Sequence, residues 1–273
     1  MTNLANVTRD PALESKLRHH LQAWGLTPSS KNGDFRAGGL TPIYAFRFVT
    51  STMEIAHKLA GEDCPDGTLV WAQHQEQGRG RLGRTWKSPE GGVYFSIVLR
   101  PRRPLEEIPQ LSLVAGLAAA EAIRELTPLV PTIRWPNDIL IDGLKVAGIL
   151  VELRGEAVVG VGINVTTKPK DLPETATSLV AAGVRNCDLY QLTGTVCRHF
   201  GAWYDVWAAQ GLGPIREALR PWMGHFGQPV HVSAGSNHFE GTATDLDETG
   251  RLIVRLDSGL LRAFEMGEVT LLR

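Results

Sequence analysis

Apolar residues recur along this chain at two spacings, and the change from one to the other marks its elements. Leu13, Leu17, Leu21 and Trp24 fall at helical intervals and predict a helix over residues 12–24. A polar, glycine-containing stretch, Ser29–Leu40, reads as a linker. Ile43–Val49 (IYAFRFV) alternates as a strand does, and Ser51-Thr52-Met53-Glu54 opens a helix that runs to about Gly61. Thr68–Gln73, bounded by Gly67, and Val93–Leu99 are apolar runs of strand length. Between them lies a long polar segment, Gln75–Gly92. Glu106–Leu126 is rich in Ala and Leu and predicts a helix.

After Pro131 the pattern is that of a meander. Ile133–Trp135 and Ile139–Ile141 are short strands, Asp142-Gly143 is a turn, and Ala147–Arg154 with Ala157–Val165 forms a hairpin turned at Gly155. Residues 166–188 lack periodicity and are read as loop. Two helices follow, Asp188–Gln210 and Pro214–Trp222. From Gly227 onward, Pro229–Ser233, His238–Asp245, Leu252–Asp257 and Leu260–Glu265 are short β segments with Ala234-Gly235 and Thr249-Gly250 as turns. Four or five strands in so short a span predict a small β-barrel. The expected architecture is α+β: a mixed, largely antiparallel sheet flanked by helices, then the barrel. Its parts are an N-terminal helix and linker (1–40), a main domain (41–224) and the barrel (225–273).

Composition narrows the function classes. The 273 residues are 43% hydrophobic and 21% charged, as a folded soluble protein requires. A net charge of −1 gives the whole chain no electrostatic pull toward nucleic acid or anionic membrane. Three dispersed cysteines, Cys64, Cys187 and Cys197, make neither a disulfide framework nor a CxxC metal pair, so reduced thiols in the cytoplasm are expected. The N-terminus has no apolar run of signal-peptide type, and Leu111–Ala120 is too short to span a bilayer. His19 and His20 face different sides of their helix, which argues against a metal site there.

Candidate chemistry concentrates in Gln75-Glu76-Gln77-Gly78-Arg79-Gly80-Arg81-Leu82-Gly83-Arg84-Thr85-Trp86. Glycines alternating with arginines let backbone approach a ligand while guanidinium groups surround it, which suits a polyanion joined to a compact organic group. A flexible RNA-binding segment is the competing interpretation, disfavoured by its single copy between two strands. Arg134-Trp135-Pro136-Asn137-Asp138 places turn chemistry at a strand end. Lys145 begins an otherwise apolar strand, where a cation either snorkels to water or meets a negative ligand. Ser51-x-x-Glu54 reads as a helix capping box and also as a ligand contact, with Ser51 capping and Thr52 facing the ligand. Gly160 and Gly162 weaken a strand unless something approaches closely there.

The glycine–arginine loop resembles that of bacterial biotin protein ligases, with Leu82 at a spacer position where basic residues are often seen. The segments Arg134–Asp138 and Lys145–Leu150, Ser51-Thr52 and Gly160–Asn164 resemble further motifs of that family. The likeness covers residues 43–165, and the C-terminal barrel by texture. It implies a class II synthetase-like catalytic domain followed by an SH3-like barrel, and a two-step reaction. Biotin and ATP give biotinyl-5′-AMP, and biotin then passes to a lysine of a biotin carboxyl carrier protein. Biotin would meet Ser51, Thr52, Met53, Gln75, Gly78, Arg79, Gly80, Arg81, Lys145 and Gly148. ATP would meet Arg81, Arg84, Trp86, Asn137, Asp138, Lys145 and Asn164. Lys145 and Arg81 would be the catalytic pair. Mg²⁺ is implied, with its ligands open, and so is the choice between monomer and homodimer. Larger family members carry a winged helix upstream; about forty residues with one convincing helix precede Ile43, so no DNA partner is expected. A lipoate or octanoate ligase of related fold, and a non-catalytic nucleic-acid-binding regulator, are the alternatives.

Overall fold

The computed structural model describes residues 8–23, 42–265 and 268–271. Helix α1 (Pro11–Ala23) is present, whereas Trp24 and the linker Ser29–Leu40 lie outside the described residues.

Seven strands form the main sheet: β1 (Ile43–Val49), β2 (Leu69–Gln75), β3 (Gly92–Leu99), β4 (Thr132–Arg134), β5 (Asp138–Ile141), β6 (Leu144–Arg154) and β7 (Glu156–Asn164). Their order is β1-β2-β3-β7-β6-β5-β4. Helix α2 (Thr52–Gly61) crosses between β1 and β2, which therefore run parallel; the other neighbours are antiparallel. Helix α2 covers one face, burying Met53, Ile55, Ala56 and Ala60 against Val70, Ala72, Val98 and Val158. The opposite face carries α3 (Leu111–Leu126), with α4 (Leu189–Gln210) packed beside it and α1 against α4 and β1. Covered on both sides, β3 is buried along its whole length, which is why its sequence does not alternate.

Two helices differ from expectation. Glu106–Leu126 divides into a 3₁₀ segment, Leu105–Gln110, and α3, with Pro109 at the junction. Proline has no N–H to donate into a preceding turn, so the α-helix begins after it. The segment Pro214–Trp222 is α5 (Gly213–Leu219) followed by a 3₁₀ turn around Pro221. Helix α4 begins as read: Asp188 Oδ1 accepts from the N–H groups of Tyr190 and Gln191 at 2.8 and 2.9 Å.

The C-terminal strands β8 (Pro229–Ala234), β9 (Asn237–Leu246), β10 (Leu252–Leu256), β11 (Leu261–Phe264) and β12 (Glu268–Leu271) make an antiparallel sheet in the order β11-β10-β9-β8-β12. Its β9–β10 turn docks on the main body. Trp135 Nε1 donates to Gly250 O at 3.0 Å and Gln110 Nε2 to Thr249 O at 3.4 Å. Gly250 has φ +91°, and a Cβ there would come within 2.9 Å of Leu113 and 3.0 Å of Leu212. Among the described residues no helix is long and apolar enough to cross a membrane.

Candidate active site

Strand β2 ends at Gln75, and the chain then turns back on itself as a hairpin-like loop. Isolated bridges pair Gln75 with Ser88 and Arg79 with Thr85. Gly80 N donates to Arg84 O, Trp86 N to Gly78 O, and Arg84 N to Arg81 O. Glycine at 78 is a steric requirement: a Cβ would lie 2.3 Å from Trp86 O and 2.5 Å from Ser88 Oγ. The tip is Arg81-Leu82-Gly83, with Leu82 at φ 56° and 70% exposed. All the residues predicted above except Ser51 and Gly78 line a cavity of about 480 Å³ beneath this loop. Ser51 and Gly78 line an adjoining cavity that shares Arg79–Leu82, Arg84 and Thr85 of the loop.

One part of the cavity is a buried polar relay. Ser96 Oγ donates to Thr52 Oγ1 at 2.8 Å, and Thr52 Oγ1 and N both donate to Gln75 Oε1, at 3.1 and 2.8 Å. Gln75 Nε2 donates to Ser88 Oγ at 2.8 Å, leaving its second hydrogen for another acceptor. The capping expectation for Ser51 fails. Ser51 sits at the N-cap of α2, yet its hydroxyl makes no cap bond, and Glu54 Oε2 accepts from Thr50 Oγ1 instead. The buried Ser51 Oγ has no hydrogen-bond partner among the described residues.

Cations gather around β5 and β6. Lys145 does not snorkel: its Nζ lies 2.5 Å from Asp138 Oδ1 and 5.1 Å from the Trp86 ring centre. Its backbone is held on the side away from β5, where Lys145 N donates to Thr175 O and Thr177 N to Lys145 O. Arg134 Nη2 reaches Asp138 Oδ2 at 2.7 Å, so the carboxylate joins two cations. Asn137 Oδ1 accepts from Arg81 Nη1 at 2.9 Å while Asn137 Nδ2 donates to Ile149 O. Arg84 is exposed on the rim.

The strand glycines do something other than expected. Gly160 and Gly162 were read as room for a ligand. A Cβ at Gly162 would strike the Trp86 indole at 2.7 Å, one at Gly148 would touch it at 3.0 Å, and one at Gly160 would meet Met53 Sδ at 2.6 Å. The missing side chains thus seat Trp86 and Met53 flat against β6 and β7. Asn164 Nδ2 donates to Thr177 O at 3.0 Å, and its buried Oδ1, like Trp86 Nε1, has no partner among the described residues.

Sequence reasoning missed several contributors. Ser88 and Ser96 complete the relay, and the serine inside an otherwise apolar strand was the signal for Ser96. Arg134 was quoted in its motif without a role. The wall formed by Leu172, Pro173, Thr175 and Ala176 comes from the stretch read as loop, and nothing in its pattern announced it. Together these surfaces suit a ligand with a polar amide-like head, an apolar stem against Met53 and Trp86, and an acidic end near Lys145 and Arg81, with further phosphates toward Arg84.

Residues 45–167 match the Biotin/lipoate A/B protein ligase family and residues 225–272 the Biotin protein ligase C terminal domain. The chain is 35% identical to the "Bifunctional ligase/repressor BirA" of Bacillus subtilis, over 79% of this chain and 70% of that protein. It is 34% identical to the "Biotin--[acetyl-CoA-carboxylase] ligase" of Mycobacterium tuberculosis, over 80% and 84%. Among solved structures it is similar to the biotin protein ligase from Aquifex aeolicus in complex with biotin and ATP. There the TM-score is 0.76 at 30% identity, covering 85% of this chain and 99% of the other.

Proposed function

This chain belongs to the biotin/lipoate A/B protein ligase family, and from that premise we propose how its cavity carries out the ligation. It is a biotin protein ligase that activates biotin with ATP and passes it to an acetyl-CoA carboxylase. The acceptor is proposed to be a lysine of the biotin carboxyl carrier protein. The reaction is proposed to run in the cytoplasm without a DNA partner.

A carboxylate is a poor electrophile, so acyl transfer needs a leaving group first. A carboxylate oxygen of biotin attacks the α-phosphorus of ATP, the bond to the β-phosphate oxygen breaks, and pyrophosphate leaves. The acceptor ε-amine then attacks the acyl carbon, AMP departs, and the amine gives up its proton to water. We assign positioning of the ureido ring to Ser51, Thr52 and Gln75, whose free Nε2 hydrogen and unpartnered Ser51 hydroxyl supply polar contacts to a head group that is costly to bury alone. Backbone at Arg79 and Gly80, with Met53 and Gly148, would line the stem. Lys145 and Arg81 would stabilise charge at carboxylate and phosphate. Arg84, Trp86, Asn137, Asp138 and Asn164 would hold the nucleotide.

Mg²⁺ fits as a companion of the phosphates. It takes oxygen ligands and is commonly bound by one or two carboxylates plus substrate phosphates. Asp138, the one acidic residue among those lining this cavity, and the unpartnered Asn164 Oδ1 are the groups that would hold it. When bound it would neutralise phosphate charge.

The observation that carries this reading is the placing of the Gln75 relay and the Lys145–Asp138–Arg81–Asn137 group in one cavity under a closed glycine–arginine loop. Purified protein should exchange pyrophosphate into ATP with biotin alone, with no carrier protein added, and not with lipoate. Exchange that needs the carrier, or that prefers lipoate, would refute it.

A further inference from the structure

At its base the glycine–arginine loop is held by backbone, Glu76 N and Gln77 N donating to Val49 O and Thr50 O; beyond Gln77 it closes largely on itself, so from Gly78 onward its attachment to the sheet depends on side chains. Arg81 provides one anchor, to Asn137, and Asn137 is fixed by a reciprocal pair of bonds with Ile149 of β6. Arg79 provides another. Its Nη2 lies 2.7 Å from Glu152 Oε1, three residues further along the same strand. Two anchor points on β6 are thus about 10 Å apart, at a strand rise of roughly 3.3 Å per residue. Gly80 spans the gap, and Leu150 lies between the anchors and lines both cavities.

We propose that Glu152 is a positioning residue for adenylate retention: through Arg79 it pins the near arm of the Gln75–Trp86 loop to β6, and release of that arm governs escape of biotin and its adenylate. The inference rests on the ligase reading above. The carboxylate is built for the task. Its side chain is 18% exposed, and both oxygens are engaged, Oε2 with His57 Nε2 at 3.0 Å and Arg154 Nη2 at 3.1 Å. His57 reaches it from α2, so the tether joins loop, sheet and helix at one point. Burial lowers the His57 pKa despite the bond to Glu152, with Arg154 and Arg79 adding to the effect. At neutral pH His57 therefore donates as a neutral ring, and the ionic partners are arginines. Arg154 neighbours Glu152 on its own strand and carries no part of the loop. Arg79 is the partner whose loss would free something that moves.

A charged hydrogen bond at a part-buried site should set opening by about tenfold. The test uses full-length protein, biotin and ATP. Pyrophosphate exchange is measured against biotin concentration, and release of preformed adenylate by rapid filtration. Glu152→Gln should raise the biotin KM and the release rate by about tenfold while kcat stays within about threefold. Arg79→Gln, which removes the other partner of the same ion pair, should raise KM and release similarly. The double variant should be no worse than either single one, because both remove one contact. Wild-type KM and release in Glu152→Gln, or effects that multiply in the double variant, would overturn the proposal. A wild-type protein that exchanges no pyrophosphate with biotin would instead sink the ligase reading itself.

Discussion

At Lys145 the chain fixes a cation by its backbone before any ligand arrives. Pairing with Thr175 and Thr177 on one side and β5 on the other leaves the side chain to meet Asp138 and the edge of the cavity. Lys145→Ala should therefore cut biotin-dependent pyrophosphate exchange by about 100- to 1,000-fold, the usual cost of a lost charge-stabilising donor. The fold should survive, since Asp138 keeps Arg134 as partner. Exchange near the wild-type rate, with unchanged Tm, would return Lys145 to a packing role. Residues of this kind were legible because a lysine in an apolar strand has few explanations. Ser51 was legible only in part. The spacing S-x-x-E fits a cap, and no sequence rule shows that Glu54 bonds Thr50 instead and leaves the serine hydroxyl unused.

The loop is the element on which retention turns. Arg81→Gly removes the bond to Asn137 and adds a further glycine beside Leu82, already in the left-handed region. A charge-assisted contact is worth about 1.5–3 kcal/mol, or roughly ten- to a hundredfold in retention. Activation should persist in part through Lys145, and escaped adenylate should biotinylate serum albumin added to the reaction. Unlabelled albumin alongside biotin-dependent ATP consumption would show that Arg81 does not hold the intermediate. Most strands of this fold were readable from alternation and from turns such as Asp142-Gly143 and Gly155. What escaped was of two sorts. Pro109 breaks an Ala/Leu-rich run whose composition alone says helix. Gly148 of β6 and Gly162 of β7 are filled by Trp86, which lies more than sixty residues away in sequence, and periodicity carries no information at that range.

For the molecule as a whole, acid stability should depend on the junction before β8. Burial pushes the pKa of His225 down to about 4, a backbone bond at Ile133 opposes this, and Arg134 adds to it. The folded state thus refuses a proton that the unfolded chain accepts near pH 6.5. Stability from this group is present above pH 6.5 and is lost as pH falls toward 4, at about 1.4 kcal/mol per pH unit. Between pH 7.5 and 4.5, denaturant unfolding should show His225→Phe losing roughly 2–3 kcal/mol less than wild type. Equal losses in the two proteins would rule out His225 as the group responsible. The seam at Gly250 has a different kind of consequence. Its carbonyl receives the Trp135 indole, one residue before the Pro136-Asn137-Asp138 turn, and its α-carbon tolerates no side chain against Leu113 and Leu212. Recombination between distant relatives is therefore not free to draw its crossover ahead of β8: a chimera that inherits a foreign C-terminal segment must also inherit a glycine at this turn.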